Sequence, residues 1–179
     1  MKNVSFGSNA FKFGLLLSIF NIVLTLVYYI FDFEVFNLSF IITNLLLSTV
    51  IVGTFFVFGI KSYRDNLLNG VITYGQAVIQ SLVIGIIAYA IIAVFNFIFY
   101  SYIAPEYLAD QLDGFIAFME SFNLPAEAMD DAVEEFENNL TPVKQMLSMI
   151  KSGAIFTIVV SLIAAAIVKK DISDNNEIA

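Results

Sequence analysis

The sequence contains no cysteine, no histidine and no tryptophan, and only 13% of its 179 residues are charged. Without cysteine the chain forms no disulfide and offers no thiolate nucleophile or zinc ligand. Without histidine it lacks the side chain most used for proton transfer near neutral pH. No remaining set of residues forms a catalytic constellation, so we expect no enzyme and predict no cofactor and no metal site.

Basic residues are also scarce, since eight lysines and arginines face sixteen acids and the formal net charge is −8. The chain has no basic patch and no glycine-rich phosphate loop. These absences exclude nucleic acid as an expected partner.

Apolar residues make up 59% of the chain, and residues 71–105 contain no charge at all. About 20 apolar residues in a helix cross the hydrocarbon core of a bilayer, which is about 30 Å thick. We therefore predict an all-α integral membrane protein, a four-helix bundle in one membrane domain over residues 1–179 that has the lipid bilayer as its surroundings. The predicted spans are residues 13–31, 37–60, 74–102 and 150–168.

The first apolar run follows Lys2 and Lys12, a pattern that signal peptides share. The run is longer than a usual signal-peptide core, and no small-x-small cleavage site follows it. We favour a retained membrane helix.

Three local signals predict where helices begin. Asn37 or Ser39 is a candidate N-cap of the second span. Thr73 and Gln76 have the spacing of a capping box, which places the start of the third span near residue 74. Thr141, followed by proline, predicts the start of the last helix.

Residues 106–141 are acidic rather than apolar, yet their apolar residues recur at spacings of three and four. The repeating positions are Leu108, Leu112, Phe115, Met119 and Phe122, and then, after Pro125 at a predicted first helical position, Met129, Val133, Phe136 and Leu140. This pattern predicts two short amphipathic helices between the third and fourth spans, with apolar faces resting on the membrane surface or on each other.

Five carboxylates crowd the second amphipathic helix and form a candidate interaction surface: Asp130, Asp131, Glu134, Glu135 and Glu137. One interpretation is a weak divalent-cation site or an acidic mouth that concentrates cations. The spacing is not that of an EF-hand loop. We favour the alternative, a helix face that is exposed to solvent.

Polar and small residues within the spans are candidates for helix packing: Asn21, Asn44, Gln80, Asn96, Gly153, Thr157 and Ser161. Small residues let membrane helices approach closely, and amides and hydroxyls hydrogen-bond across helices. The alternative is a polar path for a solute. We favour packing, because no ionisable residue lies inside a predicted span.

The basic residues predict the orientation of the spans. With both termini cytoplasmic, six bases lie inside and only Lys144 and Lys151 lie outside, as the positive-inside rule requires. The six are Lys2, Lys12, Lys61, Arg64, Lys169 and Lys170.

Short motifs surround the third apolar run. They are Arg64, Asn69-Gly70, Ile72-Thr73-Tyr74-Gly75-Gln76-Ala77 and Tyr102-Ile103-Ala104-Pro105-Glu106-Tyr107. Their order resembles a family of small bacterial inner-membrane proteins that is known only as a domain of unknown function, and the likeness covers nearly the whole chain. The resemblance implies a multi-pass protein of the bacterial inner (cytoplasmic) membrane, with an extracytoplasmic acidic segment before the fourth span. It implies no activity.

Two functions remain open at this point. The first is a structural or interaction protein, an accessory subunit that binds a protein partner in an envelope complex through the acidic segment. The second is a component of an oligomeric transporter or channel with an acidic outer vestibule, in which Asn21, Asn44, Gln80 and Asn96 line the route. The second function requires a homo-oligomer, because four spans are few for a complete path.

The predicted orientation can be tested by cysteine labelling, because the natural chain contains no cysteine. A charged thiol reagent added to intact cells should label Glu134→Cys and leave Asn66→Cys unlabelled. Permeabilised cells, in which both sites should react, provide the control. The reverse pattern in intact cells would invert the topology.

Overall fold

The structure, a computed structural model, describes residues 5–169. Lys2, Lys170 and the polar tail at 171–179, on which part of the topology argument rests, lie outside the described residues. The helices are α1 (Phe6–Ile30), α2 (Leu38–Leu67), α3 (Tyr74–Ile98), a π-helical turn (Phe99–Ile103), α4 (Tyr107–Glu120), α5 (Ala126–Asn138) and α6 (Pro142–Val168). No β-strand occurs in residues 5–169, so the predicted all-α fold is confirmed.

Within residues 5–169, four segments are long and apolar enough to cross a bilayer: α1, α2, α3 with its π-helical turn, and α6. Helices satisfy every internal backbone hydrogen bond within one segment, which hydrocarbon requires because it supplies no partners. The chain is a multi-pass integral membrane protein, as the apolar runs predict.

The starts of α2, α3 and α6 lie where the capping signals predict them. Asn37 caps α2 and accepts a hydrogen bond from the backbone N–H of Ser39 at 2.9 Å. The backbone N–H of Thr73 donates to Oε1 of Gln76 at 3.0 Å, which is half of a complete capping box on α3. Thr141 caps α6, with proline in the first turn.

The helices extend beyond several of the predicted spans. α1 begins at Phe6 rather than near residue 13, because Ser5 and Ser8 form a capping box in the polar lead. α2 continues past residue 60 to Leu67, so its basic residues are helical. Hydropathy locates the segment in lipid, whereas the caps decide where the helix itself begins and ends.

Arg64, near the end of α2, reaches a second helix. Its guanidinium forms an ion pair with Asp65, with Nε 2.7 Å from a carboxylate oxygen. It also donates to the backbone carbonyl of Val168 at 3.4 Å, at the C-terminus of α6. The C-terminus of α6 is the negative end of its helix dipole and attracts the guanidinium cation. Arg64 therefore joins the end of α2 to the end of α6.

α3 is the central helix, since it contacts the other three long helices, and α6 most extensively. α3 and α6 run antiparallel, because Gly85 lies against Thr157 while Gly153 lies against the ring of Tyr89. A Cβ at either glycine would overlap with the facing side chain. The two backbones therefore approach as closely as small residues permit.

The bundle is closed at one end and open at the other. The buried residues of α1 lie between Asn9 and Ser18, and those of α2 lie between Val52 and Ile60. These two segments form the closed end. At the open end, a cavity of about 510 Å³ lies between α2 and α6. Its polar lining includes Tyr28, Asn44, Ser48, Tyr89 and Ser152.

Gly85→Ala tests the close approach of α3 and α6. We expect the free energy of unfolding to fall by about 1–2 kcal/mol, because overpacking against Thr157 outweighs the gain in helix propensity. Gly75→Ala is the matched control in the same helix, since nothing lies within 4 Å of its added Cβ. Thermal unfolding in detergent, followed by circular dichroism, measures both. Equal midpoints would contradict the packing described.

Candidate interaction surface

The acidic segment is attached to the bundle where α3 ends. The π-helical turn is closed by the N–H of Ala104, which donates to the carbonyl of Phe99 at 2.9 Å, and both residues are fully buried. The ring of Tyr29, on α1, meets Phe99 and Tyr107 edge-on, with centroids 5.2 and 5.4 Å away. These contacts fix the start of α4 to the ends of α1 and α3.

Helices α4 and α5 form a hairpin whose apolar faces pack on each other. The rings of Phe115 and Phe136 stack with centroids 4.1 Å apart and planes 10° apart. The two apolar faces are predicted to contact either the membrane surface or each other, and the structure shows that they contact each other. The α4–α5 hairpin is thus a packed unit rather than two separate helices.

Phe36, in the connection between α1 and α2, fixes this hairpin to the bundle. Its ring lies 5.7 Å from Phe115, 6.5 Å from Phe118 and 5.5 Å from Phe136, measured between centroids. Aromatic pairs of this kind contribute about 0.5–1.5 kcal/mol each beyond the area they bury. One side chain therefore holds both helices of the hairpin.

The two ends of α5 are formed by different devices. The chain turns at Asn123, whose φ of 51° lies in the left-handed region that asparagine tolerates better than most residues. Pro125 was predicted at the first helical position but lies one residue earlier, with extended ψ, and α5 begins after it. At the other end, Nζ of Lys144 donates to the carbonyl of Asn138, which places a positive charge at the helix C-terminus.

The candidate interaction surface lies on the side of α5 that faces away from α4. All five carboxylates are exposed, whereas Met129, Val133 and Phe136 are partly buried on the other side. At 3.6 residues per turn the five acids cover an arc of about 160°. Among residues 5–169 no three acidic side chains are placed to hold a metal ion. The arrangement presents a broad negative face, which attracts cations over a distance.

The three candidate packing residues on α6 lie in its contact with α3. Gly153, Thr157 and Ser161 are all buried, and together with Ala165 they form a row at four-residue intervals. A facing row on α3 consists of Ala77, Ser81 and Gly85, which are also buried.

The four candidate amides do not come together. Gln80 and Asn96 are buried on α3, about 24 Å apart along the helix axis at 1.5 Å per residue. Asn21 donates to the carbonyl of Leu17 in its own helix at 3.0 Å. Asn44 accepts from the hydroxyl of Tyr28 at 3.0 Å, which joins α2 to α1. Of the four, Asn44 lines the cavity between α2 and α6.

Two residues with structural roles, Phe36 and Asn9, have little signal in the sequence. Phe36 lies in a short connection that also contains Phe31 and Phe33, and no periodicity distinguishes it from them. Asn9 lies in the polar lead, but its Nδ2 donates to the carbonyl of Gly59 at 2.9 Å and its Oδ1 accepts from Ser62 at 2.8 Å. An asparagine just ahead of an apolar run was the only available signal.

A family model described as "Protein of unknown function (DUF4199)" covers residues 12–170. No curated protein matches the chain, and no solved structure matches it.

Phe36→Ala tests how the hairpin is held. Amide hydrogen exchange across residues 107–138 should accelerate by about tenfold or more, because three ring contacts are lost. Exchange in α3 and α6 should not change. Phe31→Ala is the control, since Phe31 lies in the same connection with 71% of its surface exposed. Mass spectrometry of the protein in nanodiscs measures the exchange, and equal rates in both variants would contradict the role of Phe36.

Proposed function

The chain belongs to the DUF4199 family of proteins of unknown function, and we propose from its geometry that it is an interaction protein, a structural or accessory subunit of an envelope complex. In this proposal the chain is a single membrane domain in the bacterial inner membrane with both termini cytoplasmic. The α4–α5 hairpin then lies on the extracytoplasmic side. The distribution of basic residues supports this orientation.

The single observation that carries the proposal is that the acidic face is held in place. The five carboxylates project from the α4–α5 hairpin. The rings of Phe36 and Tyr29 hold this hairpin against the membrane bundle. A surface that is already ordered loses little conformational entropy on binding. A merely solvated acidic segment needs no such anchoring.

The charge of the face indicates the partner. α5 contains no lysine or arginine, and the charge of Lys144 lies at its C-terminal end. The exposed face is therefore predominantly negative, and its complement is a basic protein surface. Complementary charge on two proteins raises the rate at which they associate, and this rate decreases as the salt concentration increases. The proposed partner is a protein that presents lysine and arginine residues close to the outer surface of the membrane.

Charge reversal on α5 tests this function. The complex is extracted from native membranes into nanodiscs, and every co-purified chain is identified and quantified. We expect one protein at a fixed ratio, and Asp130→Lys with Glu134→Lys should reduce it about tenfold or more, because like charges then face each other.

The control reverses two exposed carboxylates on α4 instead, Asp113→Lys with Glu120→Lys, and should retain the partner. A partner that survives the α5 variant in full would contradict the proposal. A homo-oligomer without any other protein would favour the second function, a component of an oligomeric transporter or channel.

That second function is a component of an oligomeric transporter or channel. The cavity of about 510 Å³ at the open end favours it, since hydroxyl and amide groups of Tyr28, Asn44 and Ser48 line it. The closed end opposes it, because the core there is packed. Solute flux into proteoliposomes that is lost on Asn44→Leu would support this function.

A further inference from the structure

A second cavity, of about 720 Å³, lies between α4 and the connection that joins α1 to α2. Aromatic residues supply much of its wall. They are Phe33, Phe36, Tyr107, Phe118 and Phe122. The faces of aromatic rings carry negative potential and attract cations, ammonium and guanidinium groups above all.

Three carboxylates line the same cavity: Asp32 and Glu34 from the connection, and Asp110 from α4. No lysine or arginine of residues 5–169 lines it. None of the three acids forms an ion pair in the part of the chain that the structure describes. The cavity therefore combines an aromatic wall with uncompensated negative charge.

The arrangement does not suit a metal ion. Within residues 5–169 no three acidic side chains come close enough to share one ion. A hard divalent cation takes six to eight oxygen ligands at close range, and here the charge is spread around an aromatic space. A large cation with diffuse charge and an apolar body matches both parts of the wall.

We propose that this cavity binds an organic cation, a small molecule that carries an ammonium or guanidinium group on an apolar body. The five carboxylates of the candidate interaction surface do not line the cavity, so this site is separate from the α5 face. The inference does not depend on the proposed function. Phe33 and Phe122 are 45% and 50% exposed, and the apolar body of the ligand would cover them.

Benzyltrimethylammonium is the probe, because it joins a quaternary ammonium group to an aromatic ring. Isothermal titration calorimetry with the full chain in micelles of dodecyl maltoside, a neutral detergent without an ammonium group that could compete, measures its binding, and empty micelles provide the baseline. We expect saturable binding that weakens with salt. Phenylacetate, which has the same ring and the opposite charge, should not bind.

Neutralising the cavity acids locates the site. Asp32→Asn, Glu34→Gln and Asp110→Asn together should weaken binding about tenfold, as expected for the loss of three partly solvated charge pairs. The matched control removes three charges from the same hairpin outside the cavity: Asp130→Asn, Asp131→Asn and Glu134→Gln. The control should bind within about twofold of the natural chain.

The aromatic wall is tested separately by Phe122→Leu, which keeps an apolar side chain and removes the ring. We expect binding to weaken about threefold, in the range of an exposed cation–π contact. Size-exclusion chromatography confirms that each variant is folded. Equal loss in both triple variants would overturn the proposal in favour of general surface charge, as would binding no greater than that of empty micelles. An absence of saturable binding at millimolar probe overturns it as well.

Discussion

The close approach of α3 and α6 is the contact on which the rest of the structure depends. Hydrocarbon offers no hydrophobic drive between helices, so their association relies on van der Waals contact between surfaces that fit. Gly85 and Gly153 allow this fit by accepting Thr157 and Tyr89. α3 also contacts α1 and α2. The contacts with α3 therefore position α1 and α2 against this antiparallel pair.

Aromatic contacts take over where the spans end. Tyr29 meets the end of α3 and the start of α4, and Phe36 meets both helices of the hairpin. Edge-on and stacked rings combine large buried area with defined geometry. The same hairpin thus carries one acidic face to solvent and forms one wall of the aromatic cavity, so the two proposed sites share a support.

The parts of the fold that repeat along the chain were predictable, and the parts that depend on single residues were not. Hydropathy and capping signals located the spans and the starts of α2, α3 and α6, since both are local properties. The sites are less accessible. The acids of α5 were found by composition, but the second cavity needs Asp32 and Asp110 from distant segments. Only tertiary contacts bring such residues together, and sequence periodicity does not record them.

The uneven burial along α1 and α2 makes the bundle mechanically asymmetric. Segments with few buried contacts open at lower free energy than well-packed ones. Residues 19–30 of α1 and residues 38–51 of α2 contain no buried residue, and the connection between these two segments holds the hairpin through Phe36. A force applied to the hairpin therefore reaches the compliant end first. The spacing between α2 and α6 at this end should therefore change under a smaller force than the force needed to separate α3 from α6.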